Sequence, residues 1–175
     1  MTANQPRILI AEDYGPIADV YRRRLQTEFD VVGVVSDGRG LIRSAVRLKP
    51  DVILADIAMP GLNGLEACRQ VKQKFPRIKV VFLTMDLNSE IAAEALNLGA
   101  SAYLTKDSAS SELEIALWEV LQGKTYISST LDKHTLHCRR WERKRRSFTN
   151  AEVRNCLSPG EVAVRSGTTM GTTPS

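Results

Sequence analysis

Glu12 and Asp13 close the apolar run "RILIA" (7–11), and Asp56 closes "DVILA" (51–55). Thr84 ends "KVVFLT" (79–84), and Lys106 follows "AYLT" (102–105). Gathered in one crevice, three carboxylates repel, and one tends to stay protonated. A hard divalent cation relieves the repulsion, and oxygen ligands that leave room for retained waters suit Mg²⁺. One carboxylate can then act as a nucleophile toward phosphorus, while the metal and the lysine neutralise the transferring group. Singly, each residue has a plainer reading: an acid at a strand end is commonly a helix cap or a turn former. The chemistry depends on whether the fold assembles them.

The elements predict that it does. Five short β-rich runs punctuate the first 105 residues, the fifth being "VVGVV" (31–35). The central runs are apolar nearly throughout, as strands covered on both faces must be. Helical stripes lie between them: Ile17, Val20, Tyr21 and Leu25; then Leu65, Cys68, Lys72 (by its stem) and Phe75. Leu113, Ala116, Leu117, Val120 and Leu121 follow the i, i+3, i+4, i+7, i+8 pattern most cleanly. Strands alternating with helices require right-handed crossovers and a parallel sheet. The expectation is a doubly wound α/β domain of five parallel strands and five helices, ending near Gly123. In such a sheet, residues just past the strands share one edge, where ligands bind. In "MPGLNG" (59–64), Pro60 and Gly61 suit a tight turn, and Gly64 permits close backbone approach at the next helix.

The 175 residues allow one ordinary domain with an appendage, or two small domains, and 43% hydrophobic with 25% charged residues is a globular composition. The start "MTANQPRILIAED" lacks the basic and apolar regions of a signal peptide, and no apolar stretch approaches the roughly 18 residues of a membrane span. Three cysteines without framework spacing suit a reducing cytoplasm. Residues 1–124 carry 15 Lys/Arg against 16 Asp/Glu, whereas residues 125–175 carry 9 against 4. The two parts are therefore expected to meet different partners.

Over about residues 5–124 the chain resembles the receiver domain of bacterial two-component response regulators, a flavodoxin-like fold. The segments that carry the resemblance are "ILIAED", "DVILADIAMPGLNGLEA", "VVFLT" and "GASAYLTKD". The resemblance implies that Asp56 is the phosphoacceptor, loaded by a sensor histidine kinase. It implies that Glu12, Asp13, Asp56 and the backbone carbonyl of Ala58 hold Mg²⁺. Thr84 resembles the switch hydroxyl, Lys106 its phosphoryl-binding partner, and Tyr103 the aromatic switch, expected to turn inward from an outward rotamer. Many receivers place proline after the lysine; here Asp107 follows. A non-proline cis bond costs about 2.5–4 kcal/mol, so a trans bond is expected. "LTKDSASSELEIALWEVLQGKTYIS" is similar to the NarL/FixJ subfamily, whose members usually continue into a DNA-binding helix-turn-helix.

That continuation is not expected here. Residues 125–146 are read as a basic, helical linker, with Leu131, His134, Cys138 and Trp141 as a thin stripe. Residues 147–175 are read as a remnant of an output domain or a disordered tail. Arg139, Arg140, Arg143, Lys144, Arg145 and Arg146 can hold nucleic-acid phosphates by charge, with Trp141 stacking on a base. A solvated linker accounts for the same run. DNA binding by this chain is expected to be weak and non-specific. "HTLHC" (134–138) lacks the ligand spacing of a closed metal site.

The leading function is thus a phosphorylation-driven switch, not an enzyme beyond its own phosphoryl transfer and dephosphorylation, with homodimerisation through helices one and five or four and five. The alternative is a receiver acting alone through protein docking. A phosphohydrolase on this fold usually wants a second acid two residues after the nucleophile, where Ala58 stands. A flavodoxin wants a hydroxyl-rich loop after strand one, where the sequence reads "EDYGP".

Overall fold

A computed structural model describes residues 5–85 and 87–131. The elements run β1 (Arg7–Ala11), α1 (Gly15–Leu25), β2 (Asp30–Val35), α2 (Gly38–Leu48), β3 (Val52–Ala55), α3 (Gly64–Lys74), β4 (Lys79–Thr84), α4 (Ser89–Asn97), β5 (Ala102–Thr105), α5 (Ala109–Leu121) and β6 (Tyr126–Ile127). The sheet order is β2-β1-β3-β4-β5-β6, and every pairing is parallel. The doubly wound α/β architecture is as the sequence predicts. The strand order reverses between β1 and β3, so the crevice outside their carboxyl ends is the place for a ligand.

Period-two alternation divides the strands between two cores. Leu9, Ile53, Val80, Phe82 and Tyr103 face α2, α3 and α4, packing with Leu41, Ala67, Val71 and Ala92. Ile8, Ile10, Leu54, Val81, Leu83 and Leu104 face α1 and α5, packing with Tyr21, Leu25, Leu113 and Leu117. All four residues of β3 are buried, which explains why it reads as an unbroken apolar run.

Three details depart from the sequence reading. Val20 is 60% exposed, because the buried stripe of α1 runs through Ala18, Tyr21 and Leu25. Lys72 does more than lay down its stem: its Nζ donates to the carbonyls of Pro76 (2.7 Å) and Ile78 (3.0 Å), tying α3 to the turn before β4. The sheet has a sixth strand. Gly123 (φ +87°) ends α5, where an L side chain would be strained, and turns the chain back so that Tyr126 and Ile127 pair with Ala102 and Tyr103. Two residues are too few for alternation to show in sequence. Residues 126–131, expected in a helical linker, form a strand and a turn instead of a helix, and Leu131 is buried in the α2–α4 core.

Among the described residues no helix is long and apolar enough to cross a membrane. The remaining stripe of the expected linker helix, the basic run 139–146 and residues 147–175 lie outside the described residues.

Candidate functional site

The sheet places Glu12, Asp13, Asp56, Thr84 and Lys106 at the carboxyl ends of β1, β3, β4 and β5. Register does this directly: Ala11 pairs with Ala55, and Thr84 with Thr105. The ladder continues one step beyond each strand. The amide of Asp56 donates to Ala11 O (2.8 Å), that of Glu12 to Val35 O (2.9 Å), and that of Lys106 to Thr84 O (2.8 Å). The chemistry-bearing residues therefore hang from a rigid backbone rather than from free loops.

Lys106 Nζ lies 2.6 Å from Asp56 Oδ2 and 2.7 Å from Glu12 Oε2. The second oxygen of each acid is engaged too. Asp56 Oδ1 accepts the Ala58 amide (3.1 Å), and Glu12 Oε1 accepts that of Tyr14 (3.4 Å). Burial, helped by the Asp56 charge, raises the Glu12 pKa above the ordinary 4.5 against the pull of Lys106. Burial also works against the Lys106 charge, but its hydrogen bonds to Asp56 and Glu12 together outweigh this and raise its pKa above 10.5. The site is thus built to keep the ammonium charged.

Asp13 joins them at the exposed rim. One carboxylate oxygen from each of Glu12, Asp13 and Asp56 lies within 4.8 Å of the others. One ammonium cannot neutralise three ionised acids at that spacing. All donors are hard oxygens, so the residues fit a hard divalent cation such as Mg²⁺, with solvent reaching it past Asp13.

The loop after β3 holds Asp56 from below. Met59 is buried and anchors it, while Gly61 (φ +74°) makes the turn behind Pro60. Gly64 N donates to Ile57 O (2.9 Å), closing the loop onto α3. A Cβ at Gly64 would stand 2.0 Å from Asp56 O, so only glycine lets α3 begin there. Asn63 caps that helix, its Oδ1 accepting from Glu66 N (2.8 Å).

Thr84 is buried at the end of β4, two ladder positions beyond the Phe82–Tyr103 pair. Tyr103 corrects an expectation: its ring is fully buried in the α2–α4 core, not turned outward. The physical reason lies in β6. Ile127 pairs beside Tyr103, Ser128 N donates to Tyr103 O (2.9 Å), and Leu131 closes the same core. Among the described residues no peptide bond is cis, so Lys106–Asp107 is trans as expected. The Ala58 amide on Asp56 Oδ1 is not legible in the sequence, because a backbone donor leaves no mark in residue type.

The family described as "Response regulator receiver domain" matches residues 8–117. The chain is 36% identical over 124 residues to "Response regulator GacA" of Pseudomonas viridiflava, covering 70% of this chain and 58% of that one. It is 36% identical over 126 residues to "Transcriptional regulatory protein DegU" of Brevibacillus brevis, covering 71% and 53%. The chain therefore spans little more than half the length of these curated relatives. The crystal structure of a LuxR-family two-component response regulator from Aurantimonas sp. SI85-9A1 superposes with a TM-score of 0.70 at 27% identity, covering 81% of this chain and 99% of that one.

Proposed function

This chain belongs to the response regulator receiver family, and on that premise we propose that Asp56 takes a phosphoryl group from a sensor histidine kinase in the cytoplasm. The observation that carries the reading is the buried Asp56 carboxylate held between Lys106 Nζ and the Ala58 amide at the switch point of the sheet. A carboxylate oxygen of Asp56 attacks phosphorus, an O–P bond forms, and the P–N bond of the phosphohistidine breaks. The imidazole, already protonated on its other ring nitrogen, leaves as neutral imidazole with the bonding electrons. The product is an acyl phosphate on Asp56, later hydrolysed, and the chain turns over only its own modification.

Lys106 pairs with the phosphoryl charge, and the Thr84 hydroxyl bonds one of its oxygens. Glu12, Asp13, Asp56 and the Ala58 carbonyl would hold Mg²⁺, which supplies further charge neutralisation at phosphorus. Movement of Thr84 toward the phosphoryl group changes the space around Tyr103 and so reaches the β5 face. Self-association is the direct readout, since α1 and α5 expose Val20, Ile115 and Trp118. In longer relatives the output is transcriptional. In this chain the packed receiver runs on through β6 to Leu131, and the basic run 139–146 supplies only phosphate contacts to DNA. Binding of that kind falls steeply with salt and carries no sequence information.

The test is incubation with acetyl phosphate and Mg²⁺ followed by size-exclusion chromatography. A phosphorylation-dependent shift toward a dimer supports the reading. Full phosphorylation with an unchanged elution volume would refute the coupling to assembly.

A further inference from the structure

Two hydroxyl-rich segments, "TKDSASS" (105–111) and "YISST" (126–130), meet behind Lys106. Ser128 is fully buried, and its Oγ donates to Ser108 Oγ (2.7 Å). Ser108 Oγ donates in turn to Thr105 O (3.1 Å). Ser128 Oγ also lies 3.0 Å from Thr130 Oγ1, which lies 3.3 Å from Thr105 Oγ1. Each hydroxyl has one proton to give. Ser128 has spent its own on Ser108, so Thr130 donates to Ser128; Thr105 then donates to Thr130. The bonds form a closed circuit that leaves Thr105 by its side chain and returns to its carbonyl. The amide of Ser108 adds a contact to Thr105 Oγ1 at 3.3 Å.

Ser108 is the N-cap of α5, yet its hydroxyl caps no helix amide. A serine at that place ordinarily does. Its commitment to Thr105 marks the turn Thr105–Ser108 as what the circuit holds. That turn carries Lys106, and no proline ring fixes its backbone at Asp107.

We infer that Ser128, through Ser108 and Thr130, is a positioning residue for Lys106, holding the turn from which its ammonium reaches Asp56 and Glu12. The consequence for phosphoryl transfer rests on the reading of Asp56 as phosphoacceptor. The placement of Lys106 does not.

The test uses the full chain labelled with ¹³C at lysine Cε, the Lys106 signal being identified by its loss in Lys106→Ala. Ser128→Ala and Thr130→Val should each move that signal toward the position of a solvated lysine. Each should slow labelling by acetyl phosphate about twofold to tenfold, the rate equivalent of one neutral hydrogen bond. Thr130 is exposed, so its variants keep the fold, and Thr130→Ser should retain both parent values. In a Lys106→Ala background, Ser128→Ala should cause no further slowing. A Lys106 signal unmoved in both variants, or slowing that persists in the Lys106→Ala background, would overturn the inference. A parent that takes no phosphoryl group while the signal still moves contradicts the reading of Asp56 and leaves the positioning role supported.

Discussion

Lys106 Nζ stands 2.6 Å from Asp56 Oδ2, although the two residues are 50 positions apart. The separation is bridged by β3, β4 and β5 lying side by side in register, with one residue overhanging the end of each outer strand. The same ammonium serves Glu12 at 2.7 Å, so one cation stabilises two buried acids.

Removing that cation leaves both acids uncompensated. Lys106→Met should lower stability near neutral pH by about 3–5 kcal/mol, the usual cost of breaking a buried ion pair. At acid pH, once the Glu12 carboxyl, which burial holds above the ordinary 4.5, is protonated, the penalty should shrink. Urea unfolding at the two pH values checks this, and an equal loss at both would show that the pairing contributes little.

Gly64→Ala should act on Asp56 through the backbone. The new Cβ meets Asp56 O at 2.0 Å, and neither atom belongs to a flexible side chain. Overpacking of this kind costs about 1–3 kcal/mol, and the shift should fall on the Asp56 loop. Amide chemical shifts of residues 56–59 are the sensitive readout. Perturbation confined to α3 would mean that the helix, not the loop, gives way.

Metal should stabilise the folded chain, since the three acids converge only when it is folded. The gain is RT ln(1 + [Mg²⁺]/Kd), about 1.4 kcal/mol at a tenfold excess over Kd. Asp13→Ala should abolish it, because Asp13 is the acid not held by Lys106. The comparison is melting temperature with and without Mg²⁺ for both proteins, and an equal gain in both would remove Asp13 from the site.

Glu112 ties the segment after β6 to α5, accepting from Ser129 N at 3.3 Å and from the Ser129 hydroxyl. Burial tends to raise its pKa, but these bonds from Ser129 carry it below 4.5. A depressed carboxyl pKa stabilises above the unfolded value, and the contribution is lost as pH falls through the folded one. The melting temperature of the parent should therefore fall more steeply below pH 4.5 than that of Glu112→Gln. Parallel curves would place the bond elsewhere.

Much of this was legible in the sequence, for identifiable reasons. β3 and β4 read correctly because strands covered on both faces are apolar without interruption, and the acids read correctly because they stand where such runs stop. Gly64 was legible as a close approach because it stands where the loop after Asp56 turns into α3. Val20 misled because a single apolar residue off the buried stripe looks the same in sequence as one on it. β6 escaped because two residues show no period, and the rotamer of Tyr103 escaped with it, since the core that holds it is extended by Ile127 and Leu131. The Thr105–Ser108–Ser128–Thr130 circuit escaped for a different reason: serines and threonines near helix ends already have an ordinary explanation as caps.

The central claim is that Asp56 carries the phosphoryl group. The direct measurement is intact mass after incubation with acetyl phosphate and Mg²⁺, for the parent and for Asp56→Asn. The parent should gain one acid-labile phosphoryl group and Asp56→Asn none; equal labelling of the two proteins would contradict the account.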